Sequence, residues 1–186
     1  MVIFFKGSID YLMYMGKDKY ENEDLIRYGL PEDVWFHVDN YSSAHVYLRL
    51  KPGQSLIDID KNIIIECGQL VKANSIEGCK LKEVDVVYTL WSNLHKTNDM
   101  ETGQIGYHDS AQVLKVRIAK DNSIVNRLNK TKRESFPNLS ELQQIRLNEI
   151  QTENKLASKA QKQSIKLKEK NKRAEEINKR ELESFS

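Results

Sequence analysis

The sequence predicts an α+β fold, an α/β domain in the broad sense, with helices packed on one mixed or antiparallel sheet and a long basic helix after it. Two stretches that alternate apolar and polar residues, 33–39 and 44–50, predict two paired strands. A helix-start signal at Asp18 and a change of composition near Pro137 add a helix and a separate tail. We therefore expect a domain over residues 1–137 and a charged tail, helical or partly disordered, over 138–186.

The helix-start signal lies within residues 16–24. Asp18 and Glu21 have the spacing of a capping box, in which each carboxylate accepts a hydrogen bond from the other residue's amide. The free N–H groups at such a start attract anions, and Lys17 and Lys19 add positive charge beside them. The segment is therefore either a phosphate contact or an ordinary capped surface helix with solvated lysines. It is not a nucleotide-hydrolysing P-loop, because Asp18 follows Lys17 where that motif needs Ser or Thr.

The two alternating stretches predict a hairpin with two chemically different faces. Its even-numbered residues, such as Val34 and Val46, are apolar and face the core. A register with Asp39 opposite His45 keeps those apolar residues on one side. The other face then carries two aromatic side chains, two histidines and an arginine, namely Trp35, Tyr47, His37, His45 and Arg49. Such a face suits single-stranded nucleic acid if it is open, and the alternative is a face covered by a helix, with histidines bonded to neighbours.

The remaining elements follow from the same patterns. Apolar or alternating runs predict strands over 2–5, 11–15, 84–90, 104–108 and 113–119. A core helix is predicted after Asp58 or Asp60, and a capped helix over 121–128. Residues 91–102 are polar and irregular.

The tail differs from the body in charge. The net charge is −3 up to Leu128 and +5 from Asn129 onward, which together give +2. Residues 155–180 hold 10 basic and 3 acidic side chains, and too few apolar residues to fill the seam of a coiled coil. The tail is therefore either a basic arm for RNA or DNA backbone or a solvated segment of no fixed role.

Several function classes are disfavoured by composition. The two cysteines, Cys67 and Cys79, are not spaced for a zinc cage, so we expect no metal and no cofactor. No apolar run is long enough to cross a membrane, and residues 1–6 do not form a secretory signal. We expect a soluble protein that is cytoplasmic or nuclear.

Long runs of the chain carry a family resemblance, namely residues 15–24, 34–39, 42–49, 70–76 and 78–80, together with Trp91-Ser92-Asn93-Leu94, Lys96-Thr97 and 103–106. They resemble the NFACT-R family, an RNA-binding domain of ribosome-associated quality-control factors, and especially its stand-alone branch. The resemblance implies an α/β domain that binds RNA, such as tRNA or rRNA, with the ribosome as a further expected partner and DNA proposed for the stand-alone branch. The candidate nucleic-acid-binding residues are Gly16, Lys17, Asp18, Lys19, Tyr20, Glu21, Asn22, Trp35, His37, His45, Tyr47, Arg49 and Lys96.

Two other function classes remain open. A scaffold would use the basic tail to dock on a partner protein or on an anionic membrane surface. A metal-dependent hydrolase would use His37 and His45 with Asp39 or Asp33. The sequence favours a non-catalytic module, because it has no nucleophile with a recognisable base and no HExxH motif.

Overall fold

A computed structural model describes residues 1–184, with side chains described through Arg180. The chain divides into two units, Met1–Gln143 and the part that begins at Gln144. The strands are β1 (Val2–Lys6), β2 (Leu12–Gly16), β3 (Asp33–Val38), β4 (Val46–Arg49), β5 (Glu83–Leu90), β6 (Leu94–His95), β7 (Gly106–Tyr107), β8 (Leu114–Ala119) and β9 (Arg133–Ser135). The α-helices are α1 (Lys19–Arg27), α2 (Lys61–Ala73), α3 (Asn122–Asn129) and α4 (Leu139–Ser184).

Seven strands form one sheet in the order β8-β5-β3-β4-β2-β1-β9, and each neighbouring pair is antiparallel. The remaining two strands, β6 and β7, pair with each other. The α+β prediction, with an antiparallel sheet, packed helices and a long carboxy-terminal helix, is confirmed.

The hairpin register differs from the prediction by two residues. Trp35 lies opposite Tyr47 and Phe36 opposite Val46, so the predicted pairing of Asp39 with His45 is wrong. The pairing of β3 with β4 ends at Phe36 and Val46. The segment before β4 pairs elsewhere, because Ser43 forms a β-bridge with Ser75 just after α2. The shift is an even number of residues, so the assignment of side chains to the two faces is unchanged.

One face of the sheet packs against α2 and α3. Met13, Phe36 and Leu48 from the sheet meet apolar side chains of α2 and α3, such as Ile63 and Leu128. Asp60, one of the two predicted caps, begins α2 by accepting a hydrogen bond from the Asn62 amide. This face is the core that the even-numbered pattern predicts.

The other face is also covered, by α1, the segment that follows β5 and the first turn of α4. Trp35 and Tyr47 from the sheet pack with Leu25 of α1 and Leu94 of β6. Leu139 of α4 packs against the same cluster. The sheet is therefore buried on both sides, and the alternative of a covered sheet face describes this structure better than an open platform.

Two further elements differ from expectation. The predicted strand over 104–108 is reduced to the two residues of β7, and β9 was not predicted at all. Three residues are too few to show alternation, and β9 exists because its backbone pairs with β1.

The second unit is a helical segment whose described side chains are mostly exposed. From Gln151 to Arg180 every side chain is exposed, and Arg146 forms ion pairs with Glu149 and Glu153 within the helix. Its helical nature agrees with the composition, and the last two residues of the predicted tail lie outside the described residues. Within residues 1–184 no helix is long and apolar enough to span a bilayer. The predicted domain boundary at residue 137 stays a prediction.

A buried carboxylate joins three strands at one end of the sheet. Asp33 has no exposed surface and accepts hydrogen bonds from Arg49 (2.9 and 3.1 Å), from the Tyr14 hydroxyl (2.6 Å) and from the Leu30 amide (2.8 Å). Charged side chains are buried only when their partners replace the lost water. The cluster therefore stabilises β2, β3 and β4 as a set.

Asp33→Asn tests this cluster. We expect it to lower the free energy of unfolding by about 3–5 kcal/mol, because it removes the charge that balances a half-buried guanidinium. Urea denaturation followed by tryptophan fluorescence measures the change.

Asp85→Asn is the matched control, because Asp85 makes the same two-bond pairing with Arg117 at an exposed position. We expect it to cost much less than Asp33→Asn, because solvent screens an exposed ion pair. Equal losses in the two variants would contradict the structural role of Asp33.

Candidate nucleic-acid interface

The strand register brings several predicted site residues to one end of the sheet. Met15, Val46 and Phe36 lie side by side across β2, β4 and β3. Gly16, His45 and His37 come next to this row along their chains, so they share one end of the sheet. We call this the histidine end. Leu12, Arg49 and Asp33 form the row at the opposite end.

Helix α1 begins at the histidine end with the predicted cap. The Asp18 carboxylate accepts hydrogen bonds from the amides of Tyr20 and Glu21, both at 3.0 Å. These bonds to the charged form lower the pKa of Asp18. The second half of the predicted capping box is replaced, because Glu21 instead pairs with the Met1 amino group at 2.6 Å.

The cations of this segment are available to solvent. Lys17 and Lys19 are exposed, and the Lys19 ammonium lies 5.3 Å from the centre of the exposed Tyr20 ring. Gly16 itself is buried and tightly packed, since a Cβ there would lie 2.6 Å from Oδ1 of Asn22. The segment therefore presents two lysines and a ring, on a backbone turn that needs glycine.

A cleft of about 500 Å³ opens at the histidine end. One wall is the loop between β3 and β4, and the other is the loop that precedes β7. The side chains that carry the argument below are Lys19, Trp35, His37, Tyr41, His45 and Tyr107. The volume falls within the range of about 300–1,000 Å³ that is typical of ligand pockets.

Hydrogen bonds fix the protonation of His45 at the base of the cleft. Its Nδ1 accepts the indole N–H of Trp35 at 3.0 Å, and the ring also bonds to the backbone of Gly103. The second bond favours a proton on the ring, so Nε2 donates and the Gly103 carbonyl accepts. Burial, with a smaller repulsion from His37, lowers the pKa of His45 to about 3. His45 is therefore neutral, with both nitrogens occupied.

His37 differs from His45 in having one nitrogen left over. Its ring stacks on Trp35 with centroids 5.4 Å apart, and its Nδ1 lies 2.6 Å from the Val38 carbonyl oxygen. That oxygen can only accept, so Nδ1 carries the proton. Burial lowers the pKa of His37, which keeps the ring neutral. Nε2 of His37 is therefore a hydrogen-bond acceptor.

The loop before β7 is fastened to α1 by a partly buried ion pair. The Glu23 carboxylate accepts from Nζ of Lys96 (2.9 Å) and from the Gly103 amide (2.6 Å). Lys96 also donates to the carbonyl oxygens of Glu101 and Gln104, both at 2.7 Å. Gly103 has a φ of +86°, a left-handed conformation that favours glycine. Lys96 thus holds one wall of the cleft in place, which is a different role from the predicted contact with nucleic acid.

The opposite wall is fastened to the end of α2. The Ala44 amide donates to the Asn74 carbonyl at 2.9 Å, and the Ser75 hydroxyl donates to the Ser42 carbonyl at 2.6 Å. At the tip, Asn40 adopts a left-handed φ of 62°. Both walls are therefore held by hydrogen bonds before any ligand arrives.

The structure separates the thirteen candidate residues into groups. Those that line the cleft are Lys19, Asn22, Trp35, His37 and His45, with Gly16, Lys17, Asp18, Tyr20 and Glu21 on the adjoining segment. Trp35, His45 and Tyr47 are at most 2% exposed, so the expectation of an open stacking platform is wrong. The reason is that α1 and the segment after β5 cover that face.

Tyr47 and Arg49 do not join the cleft. Tyr47 is in the middle row of the sheet and stacks on Tyr14 with centroids 5.1 Å apart. Arg49 is bound to Asp33 at the opposite end. Which of the remaining residues contact nucleic acid stays a prediction.

The residues of the metal-site alternative are not arranged as a set of metal ligands, although His37, His45 and Asp39 line the same cleft. Asp33 lies at the end of the sheet opposite the histidines, and Asp39 pairs with Lys115 at 2.6 Å. Both nitrogens of His45 are already bonded. Among the side chains described through Arg180, no three His, Cys, Asp or Glu residues are grouped to hold a metal ion.

Sequence reasoning missed Tyr41, Tyr107, Glu23 and Gly103. Tyr41 had a visible signal, because it is an aromatic residue within a turn otherwise made of small polar residues, Asn40-Tyr41-Ser42-Ser43. The roles of Glu23 and Gly103 had no local signal, since their contact joins residues 80 positions apart.

Comparison with known proteins finds a matching family and several similar relatives. Residues 1–109 match the family described as NFACT protein RNA binding domain. Coiled-coil domain-containing protein 25 of Bos taurus is 52% identical over 191 residues, which cover all of this chain and 90% of the relative. A homolog of that protein in Dictyostelium discoideum is 58% identical over 134 residues, covering 71% of this chain and 65% of the relative. Protein JLP2 of Saccharomyces cerevisiae is 42% identical over 148 residues, covering 75% and 71%.

A solved structure shares the fold. The C-terminal part of the fibronectin/fibrinogen-binding protein from Streptococcus suis superposes with a TM-score of 0.57 at 16% sequence identity. The match covers 70% of this chain and 48% of the other, so it spans about half of the Streptococcus chain. At this identity the similarity concerns the fold alone.

The protonation of His45 predicts how stability depends on pH. The pKa of His45 is about 3 in the folded chain and near the ordinary 6.5 when unfolded. Below pH 6.5 the unfolded chain binds the proton and the folded chain does not, so stability falls as the pH falls. Between pH 7 and pH 5 this one group should remove about 2 kcal/mol.

His45→Asn is the variant that isolates the effect, because its side-chain oxygen can still accept the Trp35 N–H and does not titrate. Urea denaturation at pH 7 and pH 5 should show a loss that is about 2 kcal/mol smaller in His45→Asn than in the unmodified chain. The same loss in both proteins would mean that His45 does not carry the pH dependence.

Proposed function

Because the chain belongs to the family of NFACT RNA-binding domains, we propose that it is a non-catalytic RNA-binding protein that holds RNA at the histidine end of its sheet. The observation that carries this proposal is the position of Lys17 and Lys19, exposed at the start of α1, with Lys19 at the rim of the cleft. Lysine side chains are common partners of phosphate, and here they act without the first amides of α1, which are bonded to Asp18.

Charge distribution supports a localised contact. The body up to Leu128 has a net charge of −3, so RNA is not attracted to the whole domain. Several other cations are already paired, including Arg49 with Asp33 and Arg117 with Glu83 and Asp85. The lysines at the start of α1 therefore stand out as available positive charge.

The basic second unit supports a further, sequence-independent contribution. Its lysines between 155 and 172 are exposed on a helix, so their ammonium groups can reach a phosphate. Charge-removing changes such as Lys166→Gln, Lys168→Gln and Lys170→Gln in the full chain separate this contribution from that of the first unit. The alternative of a scaffold that docks through the tail on a protein or an anionic membrane requires RNA affinity to be absent from both units.

The proposal extends to RNA of the translation machinery, tRNA or rRNA, at or near the ribosome in the cytoplasm. Single-stranded DNA is the second polyanion to examine, because the lysines do not distinguish the two backbones. The ribose 2′-hydroxyl is the group by which a site prefers RNA. Crosslinking in cells and sequencing of the attached nucleic acid identifies the ligand.

Lys17→Ala combined with Lys19→Ala tests the proposal. We expect weaker binding of single-stranded RNA, with the slope of log affinity against log salt reduced by about 1.4, that is about 0.7 for each lost phosphate contact. Fluorescence anisotropy with a labelled oligonucleotide between 50 and 200 mM salt, roughly the range in which such effects are large, measures both quantities.

Lys130→Ala combined with Lys132→Ala is the matched control. These lysines have the same spacing and are exposed. They lie near the Lys6 end of β1, whereas Val2 at its other end pairs with Gly16. We expect the control to bind like the unmodified chain. An unchanged salt slope in the α1 variant, or no affinity for RNA at any salt concentration, would count against the proposed function.

A further inference from the structure

Most of the side chains that line the cleft are uncharged and have no role in binding a phosphate. Among its described lining side chains Lys19 is the one cation, and Asp39 brings a carboxylate to the wall. The Asp39 carboxylate is paired with Lys115 at 2.6 Å, so this wall offers no unpaired positive charge to a phosphate, and neutral histidines do not attract one. A phosphate is therefore best placed at the mouth, beside Lys19, and the interior needs a neutral occupant.

The aromatic rings that line the cleft favour a flat ligand. Tyr41 lines the cleft with 42% of its surface exposed, and Tyr107 and His37 contribute half-buried rings. Single-stranded RNA is commonly recognised when a base leaves its stack and lies on such aromatic side chains. A flat, neutral heterocycle therefore fits the lining better than an aliphatic or charged group.

The hydrogen bonds that the lining residues already make indicate which polar group a bound ligand must carry. The indole N–H of Trp35 and both nitrogens of His45 are used within the protein. The hydroxyl of Ser43 is also used, accepting from the Val38 amide and donating to the Ala44 carbonyl. Nε2 of His37 is not used in this way and accepts, and Oδ1 of Asn22 is a second lining acceptor, buried without a hydrogen-bond partner. The matching group on the occupant is an N–H donor, which every nucleobase carries on its pairing edge when unpaired.

We propose that the cleft holds one unstacked base of single-stranded RNA, with a base N–H donated to Nε2 of His37 and the adjoining phosphate beside Lys19. This inference rests on the proposed RNA-binding function and assigns the cleft a part in it. Both walls are fixed in advance, by Glu23 and Lys96 on one side and by Asn74 and Ser75 on the other. A preformed site loses little conformational entropy on binding.

Tyr41→Ala is the main test, because Tyr41 is exposed and its removal leaves the packing of the sheet intact. The full chain is titrated with a single-stranded RNA octamer and with an abasic octamer of the same charge. We expect Tyr41→Ala to weaken binding of the octamer about tenfold and to leave the abasic octamer unchanged. Tyr41→Phe, which keeps the ring, should bind both probes like the unmodified chain.

His37→Phe tests the hydrogen bond. Phenylalanine keeps a ring to stack on Trp35 but has no acceptor, so the octamer should bind several-fold more weakly and the abasic octamer should not change. Thermal unfolding of His37→Phe confirms that the variant is folded before binding is compared. A blunt RNA duplex provides a second probe without unstacked bases, and its affinity should be the same for Tyr41→Ala and the unmodified chain.

The outcomes separate the two proposals. If the octamer and the abasic octamer bind equally well, or if Tyr41→Ala binds the octamer like the unmodified chain, the base-binding role of the cleft is rejected. In that case weaker binding by the Lys17 and Lys19 variant still supports the proposed function. If no probe binds the unmodified chain, the proposed function is rejected and the inference falls with it.

Discussion

The histidine end of the sheet depends on one requirement, which is that the buried indole N–H of Trp35 needs an acceptor. A buried donor without a partner costs about 1–3 kcal/mol. His45, the residue before β4, supplies the acceptor at 3.0 Å, and its remaining N–H is then directed to Gly103. Glu23 binds the amide of the same glycine, so α1, the hairpin and the loop before β7 are joined by consecutive hydrogen bonds. The cleft is the space that remains between elements joined in this way.

These hydrogen bonds also explain why the two histidines stabilise the structure as well as being candidates for ligand binding. A histidine with both nitrogens bonded is held in one neutral tautomer, and its ring orientation is fixed. His45 therefore has no free nitrogen for a metal ion or for proton transfer, and its role is to hold the neighbouring segments in place. His37, which stacks on Trp35, has one acceptor free and faces the cleft. Two residues of the same type, 5.1 Å apart, therefore have different chemical capacities.

Local patterns predicted much of the fold. The cap at Asp18, the core helix after Asp60 and the division of β3 and β4 into two faces all follow from residues that are close in sequence. The covering of the second face could not be predicted in this way, because it depends on contacts with segments far along the chain. A strand with Trp35 and His37 on one side has the same alternation whether that side is open or packed.

The same limit applies to the site. The lysines beside α1 were visible as exposed charge next to a helix start, whereas the role of Lys96 depends on Glu23, 73 residues away. Arg49 had the right residue type and the right face for a phosphate contact, but a buried Asp33 directly opposite it in the sheet binds its guanidinium. Residue type and face were thus predictable, and the partner of each charge was not.

A nuclear magnetic resonance titration of the ¹⁵N-labelled chain with single-stranded RNA tests whether RNA is held at the histidine end of the sheet. We expect shifts in the amides of Lys17, Lys19, Tyr41 and Gly103 and in the indole N–H of Trp35. We expect no shift at Leu12, Asp33 and Arg49 at the opposite end. Shifts confined to that opposite end, or none in the first unit at saturating RNA, would contradict this placement of the RNA.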